Sequence, residues 1–378
     1  MVPITRSASY RKLVGESIQS GADLPNKRHL SLNATAMSLI ASLASVGWKS
    51  GFRWPWRNRG GLVTIPARTS NDKKGGCMSE FKDKVVVITG AGGGIGKAHS
   101  LEFAKRGAKV VVNDLGGSGD GVGASDAADA VVEEIKAAGG IAIANKASVS
   151  DKAGAKSIID DAVAEFGTVD ILINNAGILR DKSFKKLDLA DWDLVMDVHL
   201  NGSAYVTHAA WQVMYEKQYG RIVFTASTSG IYGNFGQANY GAAKMGMLGL
   251  ANVLAQEGRS KNIRVNVVSP AAETRLIGMI PGREVDIDNP SPMSHPKLVT
   301  PAVMLMCAED APTNVVIQAG NGRYSTCAIF NNEDIQFGPD VTYEELLEKK
   351  DQLLNMDDAK QGWSWRRKRM AEIAEKNK

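Results

Sequence analysis

The stretch from Lys84 to Asp114 limits the possible folds more than any other. Val85-Val86-Val87-Ile88 is an unbroken apolar run, the pattern of a strand buried on both faces of a sheet. It leads into Thr89-Gly90-Ala91-Gly92-Gly93-Gly94-Ile95-Gly96, then a helical stretch from Lys97 to Arg106 and a second apolar strand, Lys109–Asp114. Strand, helix and strand within about 30 residues make a βαβ unit, which commits both strands to a parallel sheet. The glycines permit a tight turn and close approach of backbone to a pyrophosphate, and the helix N-terminus adds N–H groups and a favourable dipole. Asp114 ends the second strand. A carboxylate there accepts hydrogen bonds from adenosine ribose hydroxyls and repels a 2′-phosphate. Neither Gly93 nor the Leu115–Gly119 loop offers an Arg or Lys for that phosphate, so NAD is expected over NADP. A plain strand-end surface aspartate is the competing reading.

Beyond Asp114, strand and helix patterns keep alternating. A glycine-rich loop (116–125) precedes a helix (Asp126–Ala138) and a strand (Ile141–Asn145), and Ala147-Ser148-Val149 sits where a strand end would pass an adenine ring. Ser150–Phe166 reads as a helix capped by Ser150 or Asp151. Asp170–Asn174 is the next strand, ending in Asn174-Asn175-Ala176-Gly177. That Asn pair can tie strand edges together or bring backbone close to the cofactor. A long helix (Trp192–Tyr215) carries His199 and Asn201 in its middle, followed by strands Arg221–Ala226, Arg264–Ser269 and Val315–Gly322. Alternation at this rate predicts an α/β, Rossmann-like, doubly wound parallel sheet.

Within Gly236–Glu257, a run of small and apolar residues with helical character, Tyr240 and Lys244 stand four residues apart. At that spacing both side chains lie on one helix face. A free phenol has a pKa of about 10, too high for a base near neutrality. A nearby ammonium lowers it, and a tyrosine so tuned takes a proton from an alcohol or returns one to a ketone. The alternative is a buried Tyr and a surface Lys on an ordinary helix.

Four features together resemble the short-chain dehydrogenases/reductases: T-G-x-x-x-G-x-G at Thr89–Gly96, N-N-A-G at Asn174–Gly177, Ser227 thirteen residues before the tyrosine, and Y-x-x-x-K. The likeness runs from about Lys82 to Gly322. Residues 111–117, 175–181 and 229–240 further resemble one branch, the (3R)-hydroxyacyl-CoA dehydrogenase domains of peroxisomal multifunctional enzymes of type 2 and their bacterial single-domain relatives. The resemblance implies NAD-dependent oxidation of a secondary alcohol, a (3R)-3-hydroxyacyl-CoA, to the ketone. By the same resemblance Tyr240 is the general base, Lys244 lowers its pKa and holds the nicotinamide ribose, and Ser227 hydrogen-bonds the substrate oxygen. Gly90, Gly94, Ile95 and Gly96 would face the pyrophosphate and Asp114 the adenosine ribose. Ser148 and Val149 would line the adenine, Asn175 would lie behind the nicotinamide, and Thr274 would meet its carboxamide.

Two positions depart from the family pattern. Where V-N-L-x-G is usual, with an Asn that organises a proton relay, the chain has Val198-His199-Leu200-Asn201-Gly202. His199 then serves a water relay or is structural. Asn201, about 200° further round a helix, is a poor substitute. The usual Pro-Gly after the sixth strand is Pro270-Ala271. The proline-rich Glu273–Pro301 follows where a substrate lid is expected.

Composition matters chiefly at the ends. Residues 1–77 carry 12 Lys and Arg against 3 Asp and Glu, leaving 33 basic and 38 acidic residues from Met78 onward. The basic balance therefore belongs to the leader and does not argue for nucleic-acid binding by the main domain. The leader reads as a targeting segment, a disordered arm, or sequence not natively translated. Lys73–Met78 would derive from a purine-rich tract before a start codon, and Met78 is the expected start. The expected organisation is a leader (1–77), a dehydrogenase domain (78–325), and a strand-and-helix extension with a basic tail (326–378). Strand-like Cys327–Asn331, helical Thr342–Asn355, and Trp363 and Trp365 fall in the extension. No hydratase or carrier sequence follows, so a stand-alone dehydrogenase is expected, and the C-terminal Lys-Asn-Lys resembles no peroxisomal address. The three cysteines, Cys77, Cys307 and Cys327, have no metal spacing and suit a reducing compartment, read as the cytoplasm. No run approaches the ~20 apolar residues of a membrane helix, and no metal is expected. The expected partners are a small-molecule substrate (acyl-CoA or steroid) and further copies of the chain. The rival activities are a 17β-type hydroxysteroid dehydrogenase and a 3-oxoacyl reductase, the latter usually NADPH-dependent and opposed by Asp114. From another class, a non-catalytic NAD-binding module is opposed by the intact Ser227, Tyr240 and Lys244.

Overall fold

The β-branched run at the start of the domain becomes the middle of the sheet. In a computed structural model, residues 80–279, 285–286 and 289–362 are described. The leader (1–77), Pro281 of the proposed lid, and Trp363 and Trp365 lie outside the described residues. Strand β1 (Val85–Thr89) is buried at every position. It lies between β2 (Lys109–Asn113) and β4 (Ile171–Asn174), parallel to both. With β3 (Ile141–Asn145), β5 (Gly220–Thr225), β6 (Ile263–Ala271), β7 (Val316–Gly320) and β8 (Arg323–Cys327), the sheet runs β3-β2-β1-β4-β5-β6-β7-β8. Chain order reverses between β1 and β4, and there the strands' carboxyl ends leave a crevice.

Alternate side chains of β1 enter two cores, as the two-residue repeat of a strand requires. Val86 and Ile88 pack with Phe103 of helix α1 (Gly94–Lys105), Ile135 of α2 (Ala127–Ala137) and Met306 near the chain's far end. Val85 and Val87 share the other core with Ile158 of α3 (Lys152–Phe166), and with Met214 and Met247 from the long helices described next. This double coverage explains why the strands read as continuous apolar runs rather than alternating ones.

The long helix around His199 is not uniform. Helix α4 (Leu189–Met196) passes through a π-helical turn, Asp197–Asn201, into α5 (Gly202–Lys217). Such wide turns are uncommon and concentrate at functional sites. Short α6 (Thr228–Tyr232) and α7 (Ala238–Glu257) follow β5; α8 (Arg275–Gly278) and α9 (Thr300–Cys307) follow β6.

The edge of the sheet differs from expectation. Asn321 (φ 51°) and Gly322 (φ 69°) form a two-residue turn, and β8 returns antiparallel to β7. Asn-Gly is a strong short-range hairpin signal because both residues tolerate positive φ. The strand expected at Cys327–Asn331 splits: Cys327 ends β8, and β9 (Phe330–Asn331) pairs with β10 (Lys360–Gln361) in a separate ribbon. The helix expected over Thr342–Asn355 is two short ones, α10 (Tyr343–Glu348), opened by a Thr342–Glu345 capping box, and α11 (Lys350–Leu354).

Candidate active site

At the β1/β4 reversal, a cleft of about 290 Å³ is lined by Gly90, Gly94 and Ile95 from the first turn and by Asp114 from the end of β2. Ser148, Val149 and Asn175 form a further part of its wall, with His199, Tyr240, Lys244 and Thr274 completing it. A second cavity of about 300 Å³ is lined by Ser227 together with Leu179, Asn234, Gln237, Glu273 and Ser294. Tyr240 borders both. Ser227 is therefore on the second cavity rather than the first, while its hydroxyl is near enough to the Tyr240 phenol to draw its pKa down.

The glycine turn puts two glycines at positive φ beside the cleft. Gly90 has φ +63° and Gly94 φ +53°. Gly93 is the N-cap of α1 and supplies no side-chain cap, and the first turn holds no acidic residue. Backbone donors at that end therefore face the cleft without a side chain of their own. Gly96 differs from expectation: it is buried behind the cleft, where a Cβ would lie 2.3 Å from the Gly90 carbonyl oxygen and 2.6 Å from Asn175 Nδ2. Its hydrogen lets helix and strand pack closely rather than facing a ligand.

Asp114 is fixed by its neighbours. Oδ2 accepts the Gly92 N–H at 2.8 Å and Oδ1 the Gly116 N–H at 2.7 Å. Asn175 plays the tying role: Nδ2 donates to the Thr89 and Gly90 carbonyls at 3.0 and 2.9 Å. Thr89 Oγ1 in turn accepts the Asn175 and Ala176 N–H groups. Asn174 Nδ2 reaches Thr207 on α5 at 2.9 Å. Ser148 bonds the Ser150 hydroxyl at 2.8 Å. Thr274 caps α8, and a Cβ on Gly94 would touch its methyl at 3.4 Å.

The π turn delivers His199 to the back of the site, fully buried. Its Nε2 lies 2.8 Å from the Ile178 carbonyl oxygen and 3.0 Å from the Ile178 nitrogen. The ring meets Tyr240 edge to face, with centroids 5.1 Å apart. Burial holds its pKa well below the usual value, and the Lys244 charge adds to this. Asn201 points elsewhere, donating to Asp197 Oδ1 at 2.7 Å.

Tyr240 and Lys244 share one face of α7, as the spacing predicts, but the expected electrostatics do not follow. Burial pushes the phenol up to about 12, the neighbouring Ser227 hydroxyl pulls it back in part, and Asp181 pushes it further up. Burial pulls Lys244 down to about 7. Its Nζ donates to the Thr225 carbonyl at 2.5 Å and lies 5.4 Å from the Tyr240 ring centre. Removing both groups from water outweighs their mutual effect.

Such a lysine costs stability wherever the unfolded chain holds its proton more tightly. The cost is complete below about pH 7 and fades as pH rises toward the unfolded value of 10.5. Lys244→Met is accordingly expected to be more stable than wild type at pH 7 by up to a few kcal/mol, since each tenfold loss of proton affinity is worth about 1.4 kcal/mol. Urea unfolding from pH 7 to 10.5 should show the gap closing. A gap that stays constant or widens would refute the buried-charge account.

Two features of the site were not read from the sequence. Arg275 lines the cleft beside Gly93, although the two lie far apart in the chain. Asp181, whose carboxyl is raised by burial, accepts from Gln237 Nε2 at 2.6 Å, and Gln237 Oε1 accepts from Ser229 and Asn234. Neither feature has a local signal; each depends on two loops meeting. Among the described residues no cluster of His, Cys, Asp and Glu could hold a metal ion, and no helix is long and apolar enough to cross a membrane.

Comparison with known proteins places this geometry. A family model described as short chain dehydrogenase matches residues 84–276. Peroxisomal multifunctional enzyme A of Dictyostelium discoideum is 50% identical over 279 residues, 73% of this chain and 61% of that protein. Peroxisomal multifunctional enzyme type 2 of Drosophila melanogaster is 52% identical over 236 residues, 62% of this chain and 38% of that protein. The chain thus spans less than two thirds of the length of either relative. A crystal structure of a short chain dehydrogenase from Mycobacterium avium superposes with a TM-score of 0.64 at 36% identity, covering 73% of this chain and 96% of that one. This chain belongs to the short-chain dehydrogenase family of oxidoreductases.

Proposed function

We propose that the protein oxidises a secondary alcohol to a ketone with NAD, and that the substrate is a (3R)-3-hydroxyacyl-CoA. One observation carries the reading: Tyr240 stands on the wall shared by two cavities, one built around a glycine turn and Asp114, the other reaching Ser227. The first cavity is assigned to a dinucleotide, since the uncapped end of α1 offers N–H donors to its phosphates. Gly90, Gly94 and Ile95 would hold the pyrophosphate, Asp114 the adenosine ribose, Ser148 and Val149 the adenine, Lys244 the nicotinamide ribose and Thr274 the carboxamide. When bound, the oxidised nicotinamide would supply the hydride acceptor and a positive charge, and a nearby cation favours a phenolate.

In this reading the chain's own groups move the proton. The Tyr240 oxygen takes it from the substrate hydroxyl, and Ser227 Oγ donates a hydrogen bond to the substrate oxygen, fixing it beside the phenol. His199, locked on Ile178 and kept neutral, positions the Tyr240 ring and does not exchange protons. The second cavity favours a thioester with amide-bearing arm over a steroid: Ser227, Thr228, Ser229, Asn234, Gln237 and Asn321 line it, and these hydroxyls and amides match polar groups rather than a fused hydrocarbon.

NADH formation with a panel of (3R)-3-hydroxyacyl-CoA esters and hydroxysteroids, each run with NAD and with NADP, tests this. Turnover of steroids alone, or of esters with NADP alone, would overturn it. Asp114→Ser is expected to weaken NAD by about tenfold or more, since hydrogen bonds to a charged group are among the stronger ones, and to narrow the NAD-to-NADP affinity ratio. Equal weakening of both cofactors would mean that Asp114 only holds the loop. The proposed assembly is a homo-oligomer, checked by sedimentation. The proposed compartment is the cytoplasm, on the ground of free Cys307 and Cys327, although the relatives' names are peroxisomal; fractionation of cells decides between them.

A further inference from the structure

We infer that Arg275 is an anion clamp that binds the cofactor's pyrophosphate beside the glycine turn. The inference rests on the dinucleotide reading above. Arg275 opens α8, the short helix that follows Thr274. Its guanidinium lies over the turn: a Cβ built on Gly93 would sit 3.1 Å from Nη2 and within 3.8 Å of Cζ and Nε. The side chain lines the same cleft as Gly90, Gly94 and Asp114. It forms no ion pair or hydrogen bond with any described residue, whereas the nearby Arg180 is tied to Asp120 and Asp191.

The Arg275 side chain is exposed, and the segment that carries it is anchored through its neighbours. Leu276 and Met279 press on Gly119, where a Cβ would meet Met279 Sδ at 2.5 Å and Leu276 Cδ2 at 3.4 Å. Leu276 and Ile277 also wall both cavities. The segment therefore borders the cleft and brings a cation without a partner among the described residues to backbone donors that lack a side-chain cap. A planar guanidinium offers paired N–H donors that suit phosphate oxygens. Selection between NAD and NADP is a different task. Gly92, not Gly93, abuts Asp114, and Thr274, next to Arg275 in the chain, lies beside Gly94. The arginine thus faces the pyrophosphate and not the ribose 2′ position.

Calorimetric binding of NAD, NADP, ADP-ribose and adenosine to wild type, Arg275→Met and Arg275→Lys tests this. Arg275→Met is expected to weaken NAD, NADP and ADP-ribose alike, by about 10- to 100-fold, to leave adenosine unchanged, and to flatten the dependence of NAD affinity on salt. Arg275→Lys should recover part of the loss because it keeps the charge without the fork. Loss confined to NADP would make the residue a 2′-phosphate reader and overturn the clamp. Unchanged affinities would overturn it as well, while leaving the dinucleotide site standing. Wild type that binds neither NAD nor ADP-ribose would instead sink the proposed function itself.

Discussion

Tyr240→Phe is expected to lower turnover by about 10³-fold while NAD affinity stays within about twofold, because general acid–base catalysis contributes about 10² to 10⁴. The substitution removes one oxygen and leaves the ring. Its edge contact with His199 and its place between the cavities persist. Steady-state NADH production and direct cofactor binding, measured on the same preparation, separate the two quantities. A variant that still turns over at the wild-type rate would remove the base assignment. Wild type that binds NAD yet oxidises no alcohol would favour a non-catalytic NAD-binding module. The pH profile adds a second check. Burial and Asp181 hold the phenol near 12 without help from Lys244, so a positive charge in the cleft should move the activity's rising limb well below that value.

Arg221→Leu is expected to destabilise the protein by about 3–5 kcal/mol, the range for leaving buried polar partners uncompensated. Arg221 is completely buried at the start of β5. Nε donates to the Ala308 carbonyl at 3.0 Å and Nη2 to that of Glu309 at 2.9 Å, while Nη1 serves Gly220 and Asn262 at 2.8 Å each. Ala308 and Glu309 follow α9 directly, so the guanidinium ties the segment after that helix to the start of β5, sharing the Ala308 carbonyl with the Ala311 N–H. The ring of Tyr219 lies 4.3 Å beneath it. Leucine fills part of the volume and donates nothing. A fall in melting temperature of about 10 °C follows for a domain of this size, and Arg221→Lys should restore little, since one ammonium cannot span the fork of carbonyls. A shift of under 2 °C, on the order of 0.5 kcal/mol, would show that water replaces the guanidinium at no cost.

The parallel core was legible because it is built from local repetition. Val85–Ile88, Lys109–Asp114, Asp170–Asn174 and Arg264–Ser269 announce doubly covered strands in their apolar runs, and the glycine turn after the first marks the start of the βαβ unit. Tyr240 and Lys244 were legible for the same reason, since helical spacing places four-apart residues together without reference to the rest of the chain. At the edge, the hairpin signal is only two residues long, Asn321-Gly322, and the exposed polar strand after it lacks the apolar run that marks the others, so its antiparallel return was not expected.

Other properties belonged to the folded chain. The fit of Arg275 over Gly93, the burial of Arg221 beneath the end of α9, and the lock of His199 on Ile178 each join segments that are remote in sequence. The charge states of Tyr240 and Lys244 belong with them. Spacing puts an ammonium near a phenol, but their pKa values follow from how much water remains, and that is a property of the surrounding walls. Residue order carries periodicity and turn chemistry, which act over a few bonds. Desolvation and loop-to-loop contact act through space, and they take their values only once the whole chain has packed.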